Sequence, residues 1–295
     1  MSEFGVRAAP NGVLSAGEVA RLERLTLTAD RPVGGRHGGA HRSVRRGRSL
    51  DFADWRDYEP GDDPRTIDVQ AWARLDQVLV RLYEADVDLT VHVIVDTSAS
   101  MGFGDKLRQA QRTVAAIGVV ALGRNETLSV STLHDRVPRR YRGRGALGPL
   151  LAHVGAWDAA GPTRLAERAA ELALVPRGVG VTAVISDFLT PGWAEAIDRL
   201  SVHRDQLVAM AIGSPVDLLD DVVGEMQLVD SETGELVDAD LTPEVVAAFR
   251  RRRGELRAAM AARVARRGGR WLATDASDDL IGTVVPRLLD AGVIR

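Results

Sequence analysis

Short apolar runs alternate with longer segments of helical character from about residue 86 onward. The short runs are rich in β-branched residues and bounded by polar residues, as buried strands are, at residues 91–95, 127–132, 181–185 and 206–212. The longer segments predict helices, at residues 106–124, 147–157, 164–174 and 194–200. Such alternation predicts a mostly parallel sheet with right-handed crossovers, flanked by helices. The carboxyl ends of its strands would lie at one edge, where open α/β sheets bind ligands.

The pattern changes after residue 215. Residues 226–238 predict a hairpin in which Gly234 supplies the turn. Thr242 and Pro243 then predict the N-cap and the first turn of a long arginine-rich helix. The remaining chain predicts a closing strand and a closing helix, at residues 271–274 and 278–289.

Within the long helix, the apolar side chains form a rough stripe that predicts its buried face, at Val245, Phe249, Leu256, Met260 and Val264. The arginines at positions 250–253 and 266–267 are expected on the other face. Arginine runs are ordinary on solvated helix faces, so the helix is interpreted as a structural addition, with a nucleic-acid or membrane surface as the alternative.

The first 85 residues differ in kind from the rest. Residues 19–27 predict a short helix preceded by a capping box. Residues 31–48 hold six arginines, many glycines and no acidic residue, while residues 49–74 are dense in acids and turn formers. The latter stretch predicts a folded loop with Asp–Arg pairing. The predicted organisation is therefore an N-terminal extension (1–85), an α/β core (86–215) and a hairpin, helix and closing strand of the same domain (216–295).

Composition places few limits on function. The 295 residues carry a formal net charge of −3, which predicts no particular partner. The chain has no cysteine, which excludes disulfides and thiolate chemistry and fits a reducing cytoplasm. The start of the chain lacks the apolar segment of a signal peptide, and no apolar run reaches the length of a membrane span. We therefore expect a cytoplasmic protein.

Three oxygen-bearing side chains follow the first buried strand at alternate positions, at Asp96, Ser98 and Ser100. One carboxylate and two hydroxyls are hard donors, which suit Mg²⁺ or Mn²⁺ better than Ca²⁺, because calcium cages usually collect more carboxylates. A cation held mainly by neutral groups keeps residual positive charge. It would therefore attract an acidic group from another molecule.

This run resembles the opening of the metal-ion-dependent adhesion site of von Willebrand factor A domains. That resemblance implies two further ligands, a Thr before a later helix and an Asp after a later strand, which Thr163 and Asp187 supply. It also implies a Rossmann-like von Willebrand A-type domain. The alternative is ordinary capping, since Asp, Ser and Thr often end strands and begin helices.

Residues 49–74 carry a second resemblance, in the run Trp-Arg-Asp-Tyr-Glu-Pro-Gly-Asp-Asp-Pro-Arg-Thr-Ile-Asp that begins at Trp55. It is similar to the signature of the bacterial domain-of-unknown-function 58 (DUF58) family, apart from Val69, where the family usually has Trp. The resemblance implies a MoxR-type AAA+ ATPase as partner, in maturation of other proteins or complexes. The predicted partner contacts are Arg56, Tyr58, Asp62, Asp63 and Arg65.

Enzymatic and nucleic-acid functions are the alternatives. Asp96 could be the nucleophile of a Mg²⁺-dependent phosphohydrolase, but Ser98 stands where that chemistry needs a second carboxylate as general acid. The basic segment at residues 31–48 could bind phosphate groups, yet it has no aromatic residue to stack on bases. The chain has no P-loop. We therefore predict a non-enzymatic, Mg²⁺-dependent protein-interaction module, with a partner or client supplying an acidic residue and nucleic acid disfavoured.

Overall fold

The computed structural model describes residues 12–28, 52–83, 90–174, 180–202, 206–218 and 224–294. The basic segment at 31–48 lies outside the described residues. The chain divides into two compact units, one formed by residues Val33–Asp88 and the other by residues Met1–Pro32 with Leu89–Arg295. They are called here the signature unit and the α/β unit.

The helices in chain order are α1 (Ala16–Thr28), α2 (Val69–Leu75), α3 (Lys106–Gly123), α4 (Leu147–Gly155), α5 (Leu165–Ala173), α6 (Trp193–Leu200), α7 (Pro243–Arg266) and α8 (Val285–Asp290). The strands are β1 (Phe52–Asp57), β2 (Leu79–Tyr83), β3 (Thr90–Val95), β4 (Thr127–Thr132), β5 (Arg139–Arg142), β6 (Gly180–Ser186), β7 (Gln206–Gly213), β8 (Gly224–Val229), β9 (Leu236–Leu241) and β10 (Arg270–Asp275). The helices and strands predicted in the α/β core are all present, with ends shifted by at most two residues.

The signature unit is more regular than the loop predicted for it. Strands β1 and β2 pair antiparallel, and α2 lies between them in the chain. Asp68 caps α2 by accepting from the backbone N–H groups of Gln70 and Ala71, and the same carboxylate accepts from Trp55 Nε1 and the Arg81 guanidinium. One buried carboxylate thus joins the helix to both strands, a contact that local composition does not reveal.

The α/β unit is built on one six-stranded sheet in the order β10-β7-β6-β3-β4-β5. All neighbours are parallel except β5, which runs antiparallel at the edge. From β3 the chain moves outward through β4 and β5, then returns to the other side of β3 and continues through β6 and β7. The winding therefore reverses between β3 and β6. The carboxyl ends of these two strands flank the switch point at which open sheets bind ligands.

Helices cover both faces of the sheet. Val91, Val93 and Val95 of β3 belong to the core that includes α1, α3, α4 and α8, whereas Ile94 belongs to the core that includes α5, α6 and α7. This alternation follows from the two-residue period of a strand. On the first face, α3 and α4 approach closely at Gly118, where an added Cβ atom would overlap the side chain of Leu150 in α4.

Helix α1 is part of the α/β unit, although its sequence position assigned it to the N-terminal extension. The predicted capping box is present, because Ser15 Oγ accepts from the Glu18 N–H and Glu18 accepts from the Ser15 N–H at 2.7 Å. Glu18 also pairs with Arg112 of α3, and Leu22 is fully buried.

Residues 139–142 form the edge strand β5, which the sequence analysis did not predict; its arginines are exposed and Tyr141 is buried. The buried face predicted for the first half of α7 was wrong. In α7, Val245 and Phe249 are exposed, while Val246 and Arg253 are buried. Arg253 can occupy a core-facing position because Asp217 neutralises it. None of the helices in the described ranges is long and apolar enough to cross a membrane.

Candidate metal centre

Asp96 is the first residue after β3 and is fully buried at the switch point. Its Oδ1 accepts from the Ser98 N–H at 2.9 Å, and its Oδ2 accepts from Ser186 Oγ at 2.6 Å. Burial raises the pKa of the Asp96 carboxyl, and the nearby charge of Asp187 acts in the same direction. A cation near this carboxylate would favour its ionised form.

The predicted hydroxyl ligands lie in two loops that are bonded to each other. The hydroxyls of Ser98 and Ser100 are 3.0 Å apart in the segment that leads into α3. This segment meets the loop before α5 through two main-chain hydrogen bonds of 2.9 Å, from Ala99 N to Gly161 O and from Ala160 N to Thr97 O. The second of these loops carries Thr163 into the same region of the sheet edge.

Thr163 has an acidic neighbour that the sequence analysis did not identify. Its N–H and its hydroxyl both donate to the carboxylate of Glu232, at 2.9 and 2.5 Å. Glu232 lies in the turn between β8 and β9, 69 positions away in the chain. A hairpin without obvious function in the sequence therefore reaches the candidate site.

Asp187 follows β6 and forms a buried ion pair with Lys106, the first residue of α3. Lys106 Nζ lies 2.8 Å from Asp187 Oδ2 and 3.6 Å from Asp217 Oδ1, and Asp217 in turn pairs with Arg253 at 2.9 Å. The next residue, Phe188, is buried with a φ of +57°, a backbone conformation that bulky residues rarely adopt. Strained backbone of this kind concentrates at functional sites.

Lys106 is the single lysine among the 38 basic residues of the chain. An ammonium is a compact point charge, whereas the arginines used everywhere else present a wide planar group. This unusual choice of residue at the start of the helix after Ser100 is a signal that could have led to Lys106. Ser186, adjacent to Asp187, offered a weaker one. No feature of the sequence around Glu232 indicated that it lies at the candidate site.

The structure thus brings four predicted ligand residues to one edge, with Asp96, Ser98 and Ser100 on one loop and Asp187 beside them, just after the neighbouring strand β6. Thr163 joins them through the bonded loops. The donors are all oxygens, which fits Mg²⁺ or Mn²⁺. Within the part of the chain that is described, no three His, Cys, Asp or Glu side chains form a metal-binding group. A cation here would therefore depend on the hydroxyls, and Asp187, already paired with Lys106, fits a role through water.

The predicted partner contacts lie in the signature unit and have local roles there. Arg56 makes two hydrogen bonds to Asp62, the predicted Asp–Arg pairing, and this pair lowers the pKa of Asp62 to about 2. Asp63 caps the short helical turn Pro64–Thr66 by accepting from the Arg65 N–H. Tyr58 is exposed. These contacts stabilise the turn, and a role in partner binding stays a prediction.

Comparison with known families places this chain. Residues 54–259, well over half of it, match the family described as "Protein of unknown function DUF58". The chain belongs to this family. Among curated relatives, the uncharacterized proteins Mb1516 of Mycobacterium bovis and Rv1480 of Mycobacterium tuberculosis are each 28% identical over 278 residues. The alignment covers 90% of this chain and 87% of theirs.

Two solved structures from Bacteroides are also similar. One is the conserved hypothetical protein BatB of Bacteroides thetaiotaomicron, with a TM-score of 0.41 and 14% identity. The other is an aerotolerance-related membrane protein of Bacteroides fragilis, with a TM-score of 0.43 and 15% identity. Each similarity covers 69% of this chain and 98% of the other. Similarity at this level carries no functional conclusion.

Proposed function

We propose that this DUF58 protein is a non-enzymatic, cytoplasmic interaction module of the von Willebrand A type, in which a divalent cation mediates binding. The convergence of Asp96, Ser98, Ser100, Thr163 and Asp187 at the switch point of the sheet carries the proposal. These residues would hold Mg²⁺ or Mn²⁺, directly or through water, and the ion would supply positive charge for a carboxylate of the partner.

Apolar side chains beside the site support a protein partner. Phe103 and Leu189 are both exposed and follow Ser100 and Asp187 by three and two residues. Exposed aromatic and aliphatic residues beside a charged anchor are common in protein interfaces. A partner could bury them while its acidic residue reaches the ion. The family resemblance makes a MoxR-type AAA+ ATPase the partner to test first.

The buried state of Asp96 disfavours the phosphohydrolase alternative. A nucleophilic carboxylate must reach the phosphorus atom, whereas Asp96 has no exposed surface and both of its oxygens accept hydrogen bonds. Ser98 remains a poor general acid. We expect no release of p-nitrophenol from p-nitrophenyl phosphate that depends on Asp96. Turnover lost in Asp96→Asn would favour the enzyme instead.

The test measures metal binding first and partner binding second. Mn²⁺ binding is followed by the loss of the free-ion electron paramagnetic resonance signal, for wild type, Asp96→Asn and Asp158→Asn. Asp158 is an exposed residue of the loop before α5 and is not one of the proposed ligands, so its variant makes the same charge change without removing a proposed donor. We expect wild type and Asp158→Asn to bind Mn²⁺ and Asp96→Asn to bind roughly 10- to 100-fold more weakly.

The second stage uses the purified MoxR-type ATPase of the source organism on immobilised protein, with Mg²⁺ or with EDTA. Retention by wild type and Asp158→Asn in Mg²⁺, with loss in EDTA and in Asp96→Asn, is the expected result. Retention of the ATPase that is unchanged by EDTA and by Asp96→Asn would exclude the metal-mediated mechanism.

A further inference from the structure

The tip of the β8–β9 hairpin places a carboxylate directly on a proposed metal ligand. Glu232 Oε2 accepts from the Thr163 N–H, and Glu232 Oε1 accepts from the Thr163 hydroxyl. Glu232 reaches the site through this residue and not through either aspartate. An acidic side chain of this chain thus lies where the proposed function expects an acidic side chain of the partner.

The turn that carries Glu232 is held in one conformation. Asp230 Oδ1 accepts from the N–H groups of Glu232 and Thr233, at 2.7 and 2.9 Å. The Asp230 carbonyl accepts from the Gly234 N–H at 2.8 Å, and Gly234 has the positive φ that such a turn requires. Because the turn is closed by its own hydrogen bonds, little conformational freedom remains to be lost when Glu232 binds at the site.

The strands of the hairpin, unlike its turn, are held by few buried contacts. The cross-strand pairs Leu228–Val237 and Val229–Leu236 are exposed, and Leu241 at the base is the buried residue of the two strands. An isolated two-stranded hairpin has marginal stability. Opening the tip contact would therefore cost little apolar burial.

The charges show why one carboxylate could replace another. Asp96 and Asp187 contribute two negative charges and Lys106 one positive charge, so a divalent cation would leave a net charge of +1. One further carboxylate brings this group to neutrality. Glu232 and an acidic residue of a partner would each meet that need, and only one of them is required.

We propose that Glu232 is a built-in acidic ligand of the metal centre, and that the hairpin and an acidic partner compete for the same position. The inference rests on the proposed function, since it assumes a cation at this edge. It adds that Glu232 occupies the position of the partner's carboxylate in the resting protein, and that residues 224–241 are displaced when the partner binds.

The experiment compares full-length wild type, Glu232→Gln and Glu235→Gln, with Asp96→Asn as the site control. Glu235 is an exposed residue next to the same turn, so its variant is the matched charge control. Mn²⁺ affinity is measured as above, and the water-proton relaxation rate per bound Mn²⁺ reports how much water reaches the ion. Acetate is then added as the carboxylate probe. Hydrogen exchange of peptides from 224–241 reports hairpin opening.

For Glu232→Gln we expect Mn²⁺ affinity to fall roughly 10-fold or more, relaxation per ion to rise, and acetate to reverse that rise. Hairpin amides should exchange faster. Glu235→Gln should match wild type in every measurement. If Mn²⁺ binds wild type but Glu232→Gln shows the same affinity, relaxation and acetate response, Glu232 is only a stabiliser of the start of α5 and the inference fails. If Mn²⁺ binds wild type no better than Asp96→Asn, the metal site and the inference fail together.

Discussion

Replacing Lys106 with Met should destabilise the α/β unit strongly in the absence of divalent cations. The Lys106 and Asp187 side chains are each 3% exposed, and their charged atoms lie 2.8 Å apart. Removing one partner of a buried ion pair costs about 3–5 kcal/mol, because the other charge remains buried without compensation. Asp217 keeps Arg253 as a partner, so the cost falls mainly on Asp187.

The expected change is large enough to measure by two methods. A unit of this size loses about 2–4 °C in Tm per kcal/mol, so Tm should fall on the order of 10 °C. Urea unfolding in EDTA, followed by far-UV circular dichroism, should give the free energy of unfolding. Circular dichroism reports mainly the α/β unit, because every helix in the described ranges except α2 belongs to it.

Two further variants separate charge from shape. Lys106→Arg keeps the positive charge but forces a larger planar group into a closed space, and should cost about 1–3 kcal/mol. Lys106→Met combined with Asp187→Asn removes both charges and should be more stable than Lys106→Met alone. A double-mutant cycle would then give a coupling energy of about 2 kcal/mol or more between the two side chains.

The response of Lys106→Met to divalent cations tests where the cation binds. If a cation binds beside Asp187, it supplies the positive charge that Lys106→Met lacks, so Mg²⁺ should raise the Tm of this variant more than that of wild type. A loss below 1 kcal/mol, or a coupling energy near zero, would refute the view that the ion pair holds this edge together. An equal response of variant and wild type to Mg²⁺ would refute the placement of the cation beside Asp187.

Two other predictions concern packing and pH. Gly118→Ala should destabilise the α/β unit by about 1–3 kcal/mol in urea unfolding, because the added carbon would overlap a leucine of α4. Gly254→Ala, on the exposed side of α7, should instead stabilise the unit by about 0.5–1 kcal/mol. Equal effects of the two variants would contradict the close approach of α3 and α4. Hydrogen bonds from Arg267 and Arg263 lower the pKa of Asp198 to about 2, so these ion pairs stabilise the fold above pH 4 and are lost as pH falls toward 2. Asp198→Asn should therefore cost about 1 kcal/mol at pH 7 and almost nothing at pH 2. A difference in Tm between variant and wild type that does not depend on pH would contradict this.

The sequence determined most of the local structure of this protein, because local structure depends on interactions between near neighbours. The β-branched run of β4 has its predicted ends at Thr127 and Thr132. The capping box at Ser15 and the N-cap at Thr242 follow from side chains that bond within three residues. The order of strands and helices also placed the candidate ligands at strand ends, so the edge on which they meet could be predicted from Asp96 and Asp187.

Only the tertiary structure decided which charges meet. Lys106 pairs with Asp187 across 81 positions, and Glu232 meets Thr163 across 69. Arg253 is buried because Asp217 neutralises it, which reverses the face that hydrophobicity assigns to that part of α7. Contacts between residues so far apart in the chain depend on strand order and hairpin placement, which the hydrophobic pattern of the sequence does not specify. The candidate ligand residues could therefore be named from the sequence, whereas the contact between Glu232 and Thr163 could not.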